Sequence, residues 1–201
     1  VTLAPAANQA FEFPPLVKED LAQVWLANPS DLSPFYTARN FDIYWGNEGV
    51  TGPDKPAIEI SLVYQDLPNG PYKSKKYFLD QDASVRNNGF VDVVSCPSDA
   101  IPTSLSATPK TFLCKKNIDV SFVPAEGTGK LILLRARLLY NSTSQAFAVK
   151  PTSGSLPVQG KLFTATGISG VTKRKVQVLR QDKVVPPYFD FAIFSMGEIN
   201  K

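Results

Sequence analysis

Apolar and polar residues alternate with a period of two through most of this chain. Ile58-Glu59-Ile60-Ser61-Leu62-Val63-Tyr64 places apolar side chains at alternate positions, as a strand with one buried face requires. Phe41-Asp42-Ile43-Tyr44-Trp45, Ile118-Asp119-Val120-Ser121-Phe122 and Phe189-Asp190-Phe191-Ala192-Ile193-Phe194 carry the same pattern. Two longer runs span Leu131 to Tyr140 and Thr172 to Arg180. In the second, Thr172, Arg174, Val176 and Val178 share one face, and Lys173, Lys175 and Gln177 share the other. Turn formers punctuate the series, among them Asn87-Asn88-Gly89 and Ser169-Gly170-Val171, and the 17 prolines fall mostly between the runs, where a missing N–H does no harm to a sheet. Only Leu16 to Leu26, following Pro14-Pro15 and carrying Lys18, Glu19 and Asp20, is compatible with a helix, and its part from Ala22 onward reads as extended. The pattern predicts an all-β sandwich of about nine to eleven mainly antiparallel strands.

The chain has 201 residues, enough for one domain with a core of its own. Residues 1–15, rich in Ala, Pro, Asn and Gln, read as a stem or linker, and residues 16–201 as a single β-sandwich domain. Residues 97–110 read as a long surface loop. No run approaches the roughly 18–20 apolar residues of a membrane-spanning helix. The sequence shows no basic start and apolar core of a signal peptide, and it opens on Val1, so a processed or trimmed chain is expected.

Composition removes chemistry. With no histidine, two cysteines and one methionine, the Ser-His-Asp triad and most transition-metal sites have no residues to build them. No cofactor is expected. A net charge of +3 is too mild to point to nucleic acid. Cys96 and Cys114 flank a segment rich in Pro, Ser and Thr, and a disulfide across it is expected, which would place the protein outside a reducing cytosol.

The remaining candidates each have a plainer reading. Asp80-Gln81-Asp82-Ala83-Ser84 begins like a calcium loop but has Val85 and Val91 where such a loop needs glycine and a carboxylate, so it reads as a polar turn. Asn141-Ser142-Thr143 fits a glycosylation acceptor and reads as a turn after the strand ending at Tyr140. Tyr36, Tyr44 and Trp45 could form an aromatic platform for a sugar, although aromatics in strands are more often core. Lys173, Arg174 and Lys175, with Lys115 and Lys116, could form a basic patch, although alternation along a strand splits it. Paired carboxylates occur (Glu19 with Asp20, Asp190 with Glu198), but nothing sets two at a catalytic separation, and the chain is expected not to be an enzyme.

The stretch Gly170-Val171-Thr172-Lys173-Arg174-Lys175-Val176-Gln177-Val178-Leu179-Arg180 runs through Pro186-Pro187 into Tyr188-Phe189-Asp190-Phe191-Ala192-Ile193-Phe194-Ser195. This ending resembles that of type IV pilin-like surface proteins, of the minor pilin or PilX type, in bacteria of the Patescibacteria kind. Phe41-Asp42-Ile43-Tyr44-Trp45-Gly46, Pro56 to Tyr64, Tyr77-Phe78-Leu79-Asp80, Asn87-Asn88-Gly89-Phe90 and Leu134 to Tyr140 follow the same order, so that the resemblance covers most of residues 20–195. It implies a surface-displayed β domain behind an N-terminal hydrophobic helix, a segment this sequence does not include. The implied work is adhesion, pilus assembly or cell contact at the cell surface, through contacts with other subunits, a glycan or a host cell, with the membrane reached only through that helix. The alternative reading is a carbohydrate-binding β-sandwich module of a secreted protein.

Overall fold

The alternating runs at 41–45, 58–64 and 131–140 form the centre of two stacked sheets. The computed structural model describes residues 2–68, 70–93, 95–123, 129–170, 172–181 and 183–184. Its twelve strands are β1 (Thr2–Leu3), β2 (Phe11–Leu16), β3 (Leu21–Trp25), β4 (Asn40–Asn47), β5 (Ala57–Gln65), β6 (Lys73–Asp80), β7 (Val91–Asp92), β8 (Phe112–Asp119), β9 (Lys130–Leu139), β10 (Gln145–Pro151), β11 (Gly160–Ser169) and β12 (Thr172–Arg180). They form a four-stranded sheet in the order β2-β10-β4-β8, a five-stranded sheet β3-β9-β5-β6-β7, and a three-stranded sheet β1-β11-β12. Every pairing is antiparallel except β6 with β7. The architecture is the expected all-β sandwich. The strand expected at Phe189 to Phe194 and the carboxylates Asp190 and Glu198 lie outside the described residues.

Register explains the core. Phe147 stands opposite Trp45, which stands opposite Cys114, and Phe41 stands opposite Ile118. On the five-stranded sheet, Val24, Leu134 and Leu62 form one row across three strands, and Ala22, Ala136 and Ile60 form the next. With period two, each strand sends these residues to one face, and the two apolar faces meet in a single buried cluster. The helical alternative for Leu16 to Leu26 gives way to strand β3, whose Ala22 and Val24 are fully buried in that cluster.

Residues 1–15, expected as a stem or linker, contribute two strands to the fold. Leu3 pairs with Gly160, Phe11 is fully buried opposite Val149, and Phe13 stands opposite Phe147. Pro14 and Pro15 masked this strand in the sequence; β2 is an edge strand, where a residue without an N–H is tolerated. The 97–110 segment is the expected long surface loop, and it is tied down. It folds over the outer face of the four-stranded sheet, where Ile101 exchanges backbone hydrogen bonds with Lys110 (2.9 and 2.8 Å) and the Ala10 N–H donates to the Pro102 carbonyl (3.0 Å). Beneath it Ala10, Tyr44, Ile101, Phe112, Ala146 and Ala148 form a second small core. Cys96 and Cys114 are joined by a disulfide, with Cα atoms 4.3 Å apart, which fastens the start of this flap to β8.

Candidate functional site

The aromatic platform expected from Tyr36, Tyr44 and Trp45 is not displayed. The three residues are 3%, 1% and 0% exposed. Trp45 faces the main core and its Nε1–H donates to the Pro56 carbonyl (3.0 Å). Tyr44, one position along β4, faces the opposite way, yet the 97–110 flap covers it, and its ring lies 5.5 Å from that of Phe112. Tyr36 packs edge-on against Phe41, with its hydroxyl donating to the Asn40 carbonyl (2.7 Å). A flap over the second face is why both faces of β4 are buried, which alternation alone could not predict.

The acidic turn is an internal clamp. Asp80 is fully buried and accepts from Arg86 Nη1 through both oxygens (2.9 and 3.0 Å) and from Asn88 Nδ2 (2.8 Å). Its oxygens therefore face protein donors, and among the described residues no group of three or more His, Cys, Asp or Glu side chains is placed to hold a metal ion. Asn141 is also fully buried, with its Nδ2 donating to the Thr143 carbonyl (2.9 Å), so its turn shows no amide to a glycosylating enzyme. Asp54 closes this turn, accepting from the Thr143 hydroxyl (2.5 Å), from the Ser142 N–H and hydroxyl, and from the Thr143 N–H. Those donors, the Thr143 hydroxyl foremost, pull its carboxyl from 3.8 down to about 2.

Two concave sites can be traced among the described residues. A polar depression of about 550 Å³ brings Ser98 and Asp99 near Lys115 and Lys116. The Ser98 hydroxyl, however, donates to the Asp99 carbonyl (3.0 Å) and accepts the Phe112 N–H (2.9 Å), and Lys115 is paired with Asp42 at 3.2 Å. Burial pulls the Lys115 ammonium down, but the Asp42 carboxylate and the Tyr44 hydroxyl outweigh it and hold the amine above its ordinary range, opposite to what a general base needs. A second cleft, of about 310 Å³, is lined by Trp25, Asn28, Pro29, Pro34, Pro157, Gln159 and Lys161 and contains no carboxylate.

That second cleft sits at the base of the feature that distinguishes the molecule. Strands β11 and β12 pair in unbroken register from Lys161 with Arg180 to Ser169 with Thr172. At about 3.3 Å per residue the ribbon is about 30 Å long. Only its base is held. Leu162 and Leu179 pack against the main core, β1 pairs with the first two residues of β11, and the side chains beyond Leu162 on β11 are exposed. Gly160 turns the chain into the ribbon at φ +150°, where a Cβ would lie 2.3 Å from the Arg180 carbonyl oxygen. Phe163, Ile168, Val176 and Val178 are each more than half exposed, at 52%, 72%, 59% and 55%.

Beside the ribbon's base, side-chain amides bond to the backbone of β3. Gln159, 1% exposed, accepts the Trp25 N–H (2.8 Å) and donates to the Trp25 carbonyl (2.8 Å), and Gln181 donates to the Gln23 carbonyl (2.7 Å). These amides satisfy backbone groups of β3 that its pairing with β9 leaves over. Two isolated glutamines in the sequence gave no signal of this role.

The molecule is thus a disulfide-clamped β-sandwich with a projecting two-stranded ribbon. A scan of protein-family models, a search of curated proteins and a search of solved structures each find no match.

Proposed function

We propose that this chain is the surface-displayed ectodomain of a pilin-like or filament-associated subunit, and that it works through protein surfaces rather than by catalysis. The observation that carries this reading is the exposed ribbon that projects from the sandwich. The polar groups around Asp80, Asp54 and Lys115 are bonded to one another, whereas the ribbon presents exposed apolar side chains and, among the described residues, an outer edge of β12 that pairs with no other strand. Such an edge, nine residues long, is a template for strand addition by a neighbouring subunit. The disulfide and the flap it fastens suit a domain exposed to an oxidising medium. Burial of Tyr36, Tyr44 and Trp45 removes the support for the carbohydrate-binding alternative.

The test is fractionation of cells that make the native protein, before and after mechanical shearing. A filament subunit is recovered with the membrane and, after shearing, with sheared filaments. Recovery only as free secreted protein overturns the proposal.

A further inference from the structure

The ribbon's two faces are not alike. Lys161, Phe163, Ala165 and Gly167 of β11 stand opposite Arg180, Val178, Val176 and Arg174 of β12, so all eight share one face. Phe163, Val176 and Val178 form its apolar centre, each more than half exposed. Lys161 and Arg180 flank that centre at the base and Arg174 flanks it towards the tip, all three exposed. Between Gly160 and Gln181 the sequence has no Asp or Glu. An apolar centre bracketed by cations is complemented by exposed rings with a carboxylate beside them.

The body carries such a surface. Phe78 lies on the outer face of β6, opposite Glu59, with its ring 5.2 Å from that of Phe90, which is 6.5 Å from that of Tyr140. Phe78 is 37% and Tyr140 43% exposed. Tyr140 is also held at φ +70°, a left-handed conformation that strains a bulky residue, and the strain displays its ring instead of burying it. The cations beside the rings are engaged. Arg86 stacks on Tyr140 at 4.5 Å and is bonded to Asp80, and Lys76 pairs with Glu59 at 2.8 Å. Asp92, exposed, stands opposite Asp80, two positions along from Phe78, so its carboxylate is on the same side as the rings.

The two surfaces lie towards opposite edges of one sheet. The ribbon's base adjoins β3, where the Gln181 amide donates to the Gln23 carbonyl, whereas Phe78 and Asp92 are on β6 and β7. At about 4.8 Å per strand, β3 and β7 are about 19 Å apart. A contact between such surfaces is heterologous. Each copy gives its ribbon to one neighbour and its rings to another, so copies are linked in a row or ring and not as a symmetric pair. Ribbon packed on ribbon would instead bring Lys161, Arg174 and Arg180 of both copies together.

We propose that the β11–β12 ribbon of one copy docks on the Phe78, Phe90 and Tyr140 cluster of the next, with Phe163, Val176 and Val178 on the rings and the flanking cations facing Asp92. The inference rests on the filament reading for its role and names the partner surface. Three apolar side chains on each side are fewer than a standard interface uses, so isolated chains associate weakly.

The test is sedimentation velocity of the full chain from about 10 µM to about 1 mM, the range that reads a weak contact. The parent should form species that grow past the dimer as concentration rises. Val176→Asp, on the ribbon, and Phe78→Asp, on the body, should each weaken association at least about tenfold. An equimolar mixture of the two should form dimers and nothing larger, because each supplies the surface the other lacks. Asp92→Lys, at an exposed position outside the rings, should weaken association as well, and it keeps the test open if an Asp disturbs either strand. Tyr72→Asp alters an exposed ring outside both surfaces and should associate like the parent. Circular dichroism of the variants should match the parent. A parent that stays monomeric overturns the docking, as does a mixture that fails to dimerise. Association unchanged by Asp92→Lys, or lost equally in Tyr72→Asp, overturns it too. A chain that is monomeric here yet recovered with sheared filaments loses this contact alone, whereas one that associates as expected but is recovered only as free secreted protein loses the filament reading.

Discussion

Strands β9 and β11 are both ten residues long and lie in the same chain, yet they have opposite fates. In β9 the six consecutive residues from Leu131 to Ala136 are buried, while in β11 only Gly160 is buried and Leu162 half-buried. Both have regular antiparallel partners, so hydrogen bonding does not separate them. What differs is the second layer. Strand β9 is central, flanked by β3 and β5, and its sheet lies against another, whereas β11 is paired along its length by β12 and touches β1 at two residues. Hairpins of two strands are marginal in water unless something supports them. The ribbon therefore depends on its base, where Leu162, Leu179 and Gly160 anchor it. Pairing makes a strand, but a facing layer makes it stable.

The strongest way to test that contrast is to remove equivalent bulk from each region. Trp45→Ala, in the core, should cost about 3–5 kcal/mol. It removes a ring that is 0% exposed and leaves the Pro56 carbonyl without its indole donor. Urea unfolding at neutral pH measures the loss, and a change under about 1 kcal/mol would show that Trp45 is not part of a packed core. Next in size is the clamp on the flap. Replacing both Cys96 and Cys114 with alanine should cost about 2–4 kcal/mol. Hydrogen exchange should rise first at the Ile101 and Lys110 amides, whose mutual hydrogen bonds close the flap. If exchange rises evenly over the whole domain, the disulfide does not act through the flap.

The same contrast marks what could be read in the sequence. Period two identified β4, β5, β9 and β12, because a strand facing one apolar layer must alternate. It missed β2, since Pro14-Pro15 follows directly on Phe11-Glu12-Phe13, and only an edge position makes that acceptable. It could not foresee that Tyr44 is as buried as Trp45, because the cover over Tyr44 comes from residues 97–110, far away in sequence. Alternation divides Lys173 from Arg174, yet both are exposed, because β11 and β12 project beyond the sandwich. Periodicity gives the orientation of a side chain; what waits in that direction is a property of the whole fold.

Acid separates the body from the ribbon on a smaller scale, because the ribbon has no carboxylate. Asp54, with its carboxyl lowered from 3.8 to about 2 by the donors of Thr143 and Ser142, contributes stability that is fully present above its unfolded value. That contribution fades as pH falls from about 4 towards 2. Glu59 behaves the same way: burial raises its carboxyl, but Lys76 and Arg137 outweigh burial and hold it below the ordinary 4.5. Asp54→Asn should therefore flatten the decline of the thermal midpoint in this acid window, with the parent falling more steeply. Parallel curves for parent and variant would mean that the turn at Ser142 and Thr143 does not need the charge.

The smallest effect expected is also the sharpest control on the comparison. Phe163 is 52% exposed and stands opposite Val178 near the ribbon's base. Phe163→Ala removes a ring of the same class as the buried Phe147, yet it should shift global stability by less than about 0.5 kcal/mol. A ring left in water on both sides of folding contributes little to the difference between the states. Some cross-strand contact with Val178 is lost, and a pair of this kind is worth about 0.2–1 kcal/mol to the ribbon itself. Because the ribbon can fray without opening the sandwich, that loss should appear as faster exchange of the Phe163 and Val178 amides and not in the urea midpoint. A Phe163→Ala variant that lowers the midpoint as far as a core substitution does would mean that the ribbon folds against the body in solution, and the division between the two regions would fail.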